Sequence, residues 1–279
     1  MTSHGHEQQY SFLQRLEFVA VKSCKGICTL FRAKLRPGLR NLRSVKIEDC
    51  KSLKEVFELG EEKELPLLSS FTELQLIKLP KLECIWKGPT RYVSLQSLIH
   101  LKLWSLEKLT FIFTASLAQS LPQLETLDIR DCFELEHIIK EEDGEREIIP
   151  ESPGFLKLKT LYISHCGKLE YVFPVSVSLT IQSLPQLQTL ETRDCRELEH
   201  IIREKDGENN CHKMVTVLPN LQELSLKQLP SIFRFSQGCF EFLFPRLEKL
   251  KVYECRKLTT KFAITPDRLM SAQSEVLLI

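Results

Sequence analysis

The chain has 279 residues, with 38 Lys and Arg against 37 Asp and Glu, so its formal net charge is +1. That balance gives no electrostatic reason to expect nucleic acid or an anionic membrane as partner. With 43% apolar and 27% charged residues, and only ten Gly and 13 Pro, the composition excludes disordered, collagen-like and linker-rich chains.

Residues 1–12 form a polar N-terminal segment. Its opening, MTSHGHEQQY, has neither the basic start nor the apolar run of a secretory signal. From residue 13 to residue 260 one phrase recurs, L-x-x-L-x-L-x-x-N/C-x-L, which predicts a single repeat domain. The first copy is framed by Leu16, Val19, Val21 and Cys24, and the last by Leu247, Leu250, Val252 and Cys255. Between them, copies close at Cys50, Leu79, Leu106, Cys132, Cys166, Cys195 and Leu229, at intervals of 26 to 34 residues, which gives about nine coils. Two stretches of 26 residues, starting at Ser120 and Ser183, differ at only six positions, an internal duplication.

The L-x-L segment of each copy has period two, so its apolar residues turn inward and the residues between them outward from a short strand. One coil has too few apolar contacts to stand alone, and neighbours must stack on a shared core. The expected fold class is therefore α/β: a leucine-rich-repeat solenoid, a curved right-handed β/α superhelix with a parallel concave sheet. On the return side, Thr114 to Ser120 reads as a short helix with Thr114 as N-cap, stopped by Pro122. Pro174 could open a second helical turn. The stretch Tyr171 to Ile181 falls short of the ~18–20 apolar residues of a membrane span. Charged loops that contain Asp-Gly follow Ile139 and Ile202 and should bulge into solvent. Residues 261–279 read as a C-terminal tail.

Ten cysteines in a long chain without an export signal read as reduced thiols inside a cell. Six of them (Cys24, Cys50, Cys132, Cys166, Cys195 and Cys255) take the slot after the strand, where a small side chain donates to the backbone of the turn. Cys28, Cys84, Cys211 and Cys239 lie outside that column. No C-x-x-C pair suggests zinc. Phosphate loops, dinucleotide-binding glycine patterns, zincin helices and nucleophile elbows are all missing from the sequence. His137 and His200 are equivalent positions of the duplication. Asp131 and Asp194 precede column cysteines and are expected to tie down the turn through side-chain to backbone bonds. No converging catalytic partners can be named. The expectation is a non-enzyme without cofactor or metal.

What remains is the outward face of the sheet. Its central column runs Ala20, Lys46, Gln75, Lys102, Asp128, Tyr162, Glu191, Ser225 and Lys251, and its next column Lys22, Glu48, Ile77, Trp104, Arg130, Ser164, Arg193, Lys227 and Tyr253. Trp, Tyr and Arg dominate the energetics of protein interfaces. Lys102, Trp104, Asp128, Arg130, Tyr162, Glu191 and Arg193 are therefore the candidate partner-binding cluster.

The phrases L-P-K-L-E-C-I-W (Leu79 to Trp86), S-L-P-Q-L-E-T-L-D-I-R-D-C (Ser120 to Cys132), C-x-E-L-E-H-I-I (from Cys132 and again from Cys195) and F-P-R-L-E-K-L-K-V-Y-E-C (Phe244 to Cys255) carry a resemblance. They resemble the repeat region of plant intracellular nucleotide-binding leucine-rich-repeat disease-resistance proteins of the coiled-coil type, over about Leu13 to Thr260. The resemblance implies a cytoplasmic protein that senses pathogen effectors, or the host proteins they modify, and holds a nucleotide-driven switch inactive. The phosphate loop and coiled-coil heptads of those receptors are missing, so nucleotide binding and signalling are not carried over. The abrupt start of the array at Leu13 favours an upstream nucleotide-binding domain missing from this chain, or a paired partner, over its apolar end. A truncated product and a stand-alone repeat scaffold both fit. A substrate adaptor of a ubiquitin ligase would need an N-terminal helical docking module, for which 12 residues leave no room. An extracellular ectodomain would need a signal peptide and regular L-x-G-x-I-P units.

Overall fold

Where apolar residues alternate, as in Leu101-x-Leu103 or Leu161-x-Ile163, an extended backbone buries one face and leaves the other outward. A computed structural model of the protein describes residues 15–60, 67–90, 93–118, 121–140, 155–174, 184–203, 215–236, 241–265 and 268–271. In it the alternating segments are the strands Phe18–Lys22, Ser44–Glu48, Glu73–Ile77, His100–Trp104, Thr126–Arg130, Thr160–Ser164, Thr189–Arg193, Glu223–Lys227 and Lys249–Tyr253. They pair in chain order as one nine-stranded parallel sheet. The register is in step: Val45 lies beside Leu74, Leu74 beside Leu101, Leu101 beside Leu127, and the row continues through Leu161, Leu190 and Leu224 to Leu250. The expected inward residues of this row and the next are buried from Val45 through Leu226. The coarse fold expectation holds: the chain is a solenoid built on a parallel sheet.

After each strand the chain turns sharply through one residue in the left-handed region. Ser23, Asp49, Lys78, Ser105, Asp131, His165, Asp194, Gln228 and Glu254 all have φ between 52° and 55°. A side chain with a Cβ pays a steric penalty there of ~1–2 kcal/mol. The turn is held by a further rung of the ladder, because the N–H of the turn residue donates to the last strand carbonyl of the next coil. Lys78 donates to Trp104 at 2.9 Å, Ser105 to Arg130 at 2.8 Å and Asp131 to Ser164 at 2.9 Å. The residue that follows is the column cysteine or leucine. All six column cysteines donate Sγ–H to the carbonyl two residues back, at 3.3 to 3.6 Å. All six are free thiols, and four of them are fully buried.

Among the described residues the return side is mostly strand, beside a 3-10 helix at Ala33–Leu39. Thr29–Phe31, Glu55–Glu58 and Cys84–Lys87 form one short parallel sheet, and Phe111–Thr114 pairs with His137–Lys140. Tyr171–Phe173, His200–Ile202 and Arg234–Ser236 form another. Pairs such as Val56-Phe57, Ile85-Trp86, Ile112-Phe113 and Val172-Phe173 suit extended backbone and lose side-chain freedom in a helix. Phe31, Phe57 and Trp86 stack across three coils, with ring centres 5.0 Å apart in both steps. Among the described residues the one α-helix is Ala115–Ala118. The Thr114 hydroxyl accepts from the Leu117 N–H at 3.3 Å, as the N-cap reading expects. The turn expected after Pro174 and the two Asp-Gly loops lie outside the described residues.

The last short sheet comprises Val215–Val217, Glu241–Leu243, Lys261–Thr265 and Arg268–Ser271, the final pair antiparallel. Phe262, beyond the expected end of the array at residue 260, is buried against Phe235 and Phe244. Among the described residues, no helix is long and apolar enough to cross a membrane.

Candidate functional site

The outward face of the nine-stranded sheet carries the candidate cluster, and the in-step register decides which side chains meet. Trp104, Arg130, Ser164 and Arg193 occupy one row of neighbouring strands, and Lys102, Asp128, Tyr162 and Glu191 the adjacent row. Five of the seven expected residues form one unit. The Arg130 guanidinium donates to both carboxylate oxygens of Asp128, Nε to Oδ1 at 2.7 Å and Nη2 to Oδ2 at 3.1 Å. Its carbon centre lies 4.7 Å from the centre of the Trp104 ring and 5.8 Å from that of Tyr162. Lys102 Nζ is 4.5 Å from the Trp104 ring centre. A planar guanidinium fixed by two charge-assisted bonds and packed between aromatic rings has little freedom left to lose on binding. Hydrogen bonding to Asp128 pushes the guanidinium further up its already high titration range.

Asp128 is not displayed. Its side chain is only 9% exposed beneath Arg130, whose own is 43% exposed. The carboxylate serves as the anchor, and the arginine is what a partner meets. Ser225, another expected outward residue, is fully buried. It sits in register between Glu191 and Lys251, which bond to Lys227 and Glu223, and these longer side chains leave its hydroxyl no exposure. The Trp104 indole N–H is buried with no acceptor among the described residues.

The other two expected members point elsewhere. Glu191 accepts from Lys227 Nζ at 3.0 Å, one strand further along. Arg193 Nε donates to Asp194 at 2.8 Å. Among the described residues the contacts of Asp131 and Asp194 are to side chains, not the expected bonds to the turn backbone. His165 lies between them, Nδ1 3.3 Å from Asp131 and Nε2 3.3 Å from Asp194. All three are left-handed turn residues of successive coils. The sequence reading overlooked this bridge, although the shared column position of the three residues could have shown it.

Towards the C-terminal end the face neutralises itself. Lys251 donates to Glu223 at 2.8 Å and holds its carboxyl below the usual range, while Glu223 raises Lys251. Elsewhere burial pushes the Cys50, Cys84 and Cys255 thiols up and the His200 imidazole down. In the run Cys132, Cys166 and Cys195, hydrogen bonds with the neighbouring thiols, Cys132 first and then Cys195, keep the Cys166 proton in place, and burial adds to the effect. Among the described residues no group of His, Cys, Asp and Glu is arranged to hold a metal ion.

Comparison with curated proteins and with solved structures gives no match. Comparison with protein families does. Residues 1–133 and 135–272 match the family described as plant disease resistance protein RPS2-like, leucine-rich repeats. The match covers nearly the whole chain and agrees with the parallel-sheet solenoid and its in-step leucine rows. The chain belongs to the leucine-rich-repeat family of RPS2-like plant disease resistance proteins.

Proposed function

We propose that this chain is the partner-sensing repeat region of a plant disease-resistance receptor. Each strand of the long sheet heads one coil, nine in all, and the outward face of that sheet engages a pathogen effector or a guarded host protein. It acts in the cytoplasm, by binding alone and without catalysis or cofactor, and in a full receptor a nucleotide-binding domain supplies the switch. The observation that carries this reading is the unit Trp104–Arg130–Asp128–Tyr162. It joins three successive strands on one face and presents an arginine already held in place. Aromatic and arginine side chains of this kind supply most of the affinity at protein interfaces.

The test is a two-hybrid screen against secreted pathogen proteins and host proteins, with the hits re-measured on purified chains. Trp104→Ala should weaken binding at least about tenfold and still melt cooperatively as a folded chain. Phe133→Ser changes an exposed aromatic on a turn outside the strands and should bind like the parent. Equal binding by Trp104→Ala and the parent would remove the docking face from the account.

A further inference from the structure

The charges of the outward face are arranged differently along its length. From Asp128 onward its cations are tied to carboxylates: Arg130 to Asp128, Arg193 to Asp194, Lys227 to Glu191, and Lys249 and Lys251 to Glu223. On the three strands Ser44–Glu48, Glu73–Ile77 and His100–Trp104, with the one left-handed residue that follows each, the pattern reverses. The carboxylates there are engaged: Glu48 by Lys22, Asp49 by the Ser23 hydroxyl, and Glu73 by the Ser44 hydroxyl and the Gln75 amide. No ion pair joins Lys46, Lys78 or Lys102 to a carboxylate among the described residues. Lys46 and Lys78 are exposed, and Lys102 is half-buried against Trp104. Beside them Ile77 and Trp104 lie in register, both half-buried.

We infer that this part of the face receives an acidic segment of a partner protein, one that also carries an apolar residue. Carboxylates of the segment meet Lys46, Lys78 and Lys102, and its apolar side chain covers Ile77 and Trp104. Strands lie ~4.8 Å apart, so Lys46 and Lys102, two strands apart, call for carboxylates about 10 Å apart. Unpaired cations beside a half-open apolar pair lower the desolvation cost for a ligand that supplies both chemistries. The interspersed Glu48, Asp49 and Glu73 repel a continuous polyanion, which favours a protein segment over nucleic acid. The inference rests on the docking-face reading above, but the two fail separately.

The test uses the full chain and three fluorescein-labelled peptides of equal length, in which leucines alternate with pairs of glutamate, glutamine or lysine. A labelled single-stranded oligonucleotide is the fourth probe, and all are followed by fluorescence anisotropy at low and moderate salt. The glutamate peptide should bind tightest and weaken as salt rises. Joint replacement Lys46→Gln, Lys78→Gln and Lys102→Gln should weaken it at least about tenfold, several-fold for each charge removed. Gln228 occupies the same turn position as Lys78 at φ 54°, so glutamine is compatible with that backbone. Lys249→Gln, which removes a cation that already has a carboxylate partner, should stay within about twofold of the parent. Circular-dichroism melts of all variants separate lost binding from lost folding. No preference for the glutamate peptide, equal loss in the Lys249→Gln control, or tighter binding of the oligonucleotide overturns the inference. None of these results touches the docking face, which falls if Trp104→Ala leaves effector binding unchanged.

Discussion

The strands Thr126–Arg130 and Thr189–Arg193 come from the two copies of the duplication, yet their outward side chains behave differently. In the first copy Asp128 clamps Arg130, and the arginine lies against Trp104 and Tyr162. In the second, Glu191 reaches forward to Lys227 and Arg193 turns to Asp194. The row neighbours explain this. Arg130 has Trp104 on one side, whereas Arg193 stands between Ser164 and Lys227. Among the described residues the second arginine meets no aromatic ring and has a like charge beside it instead. Aspartate is also one methylene shorter than glutamate, which suits it to an arginine two residues along its own strand. In a stacked array, what an outward residue does is set by the adjacent coils as much as by its own.

The comparison can be broken first at the level of the core. Leu127 and Leu190 occupy the same inward position and are both buried, so Leu127→Asp and Leu190→Asp should each cost several kcal/mol, about 3–5, and unfold the local coils. Urea melts check this, and retained cooperative unfolding in either variant would contradict the shared frame. The arginines should then part company. Arg130→Ala strands a nearly buried carboxylate and should cost about 2–3 kcal/mol. Arg193→Ala removes an exposed partner of a partly exposed carboxylate and should cost under about 0.5 kcal/mol. Equal costs would mean that the clamp on Arg130 does not distinguish the copies. This difference is also why Trp104→Ala, rather than Arg130→Ala, is the cleaner probe of binding.

A smaller effect sharpens the comparison further. Thr192 stands where the first copy has Ile129, fully buried, with a hydroxyl that finds no partner among the described residues. Thr192→Ile should raise stability by about 1 kcal/mol, read as a higher urea midpoint at unchanged slope. The smallest effect concerns pH. Burial holds the folded-state pKa of His200 below its ordinary value of 6.5. A depressed histidine contributes stability that is fully present above the unfolded-state pKa and is lost as pH falls from there through the folded-state value. His200→Phe should therefore show a smaller loss of melting temperature between pH 7 and pH 5 than the parent.

The inward rows were legible because alternation has period two and the phrase recurs in one frame, and stacking converts that frame into an in-step register. The meeting of Trp104, Arg130 and Tyr162 followed from the same columns. The bidentate Asp128–Arg130 bond and the departure of Arg193 did not, because side-chain direction depends on neighbours 26 to 34 residues away in the chain. The left-handed turn column carries Ser, Asp, Lys, His, Gln and Glu and no glycine, so composition gave no sign of it. The return strands had a signal that a search for helices passes over. Val56-Phe57, Ile85-Trp86, Ile112-Phe113, Ile138-Ile139 and Val172-Phe173 follow the closing leucine of each coil at the same offset of three residues. β-Branched and aromatic pairs of that kind favour strands.

The docking face is tested most directly by the environment of Trp104 itself. Trp86 is the second tryptophan, buried in the stack on Phe57, and Phe31 shows that phenylalanine fits such a stack. Trp86→Phe therefore leaves Trp104 as the sole indole reporter. When a partner found in the screen is titrated into this variant, in a form without tryptophan, Trp104 emission should shift to the blue and its quenching by acrylamide should fall as the half-buried ring is covered. Saturating binding with unchanged emission and unchanged quenching would show that the partner docks elsewhere, and the central claim would be wrong.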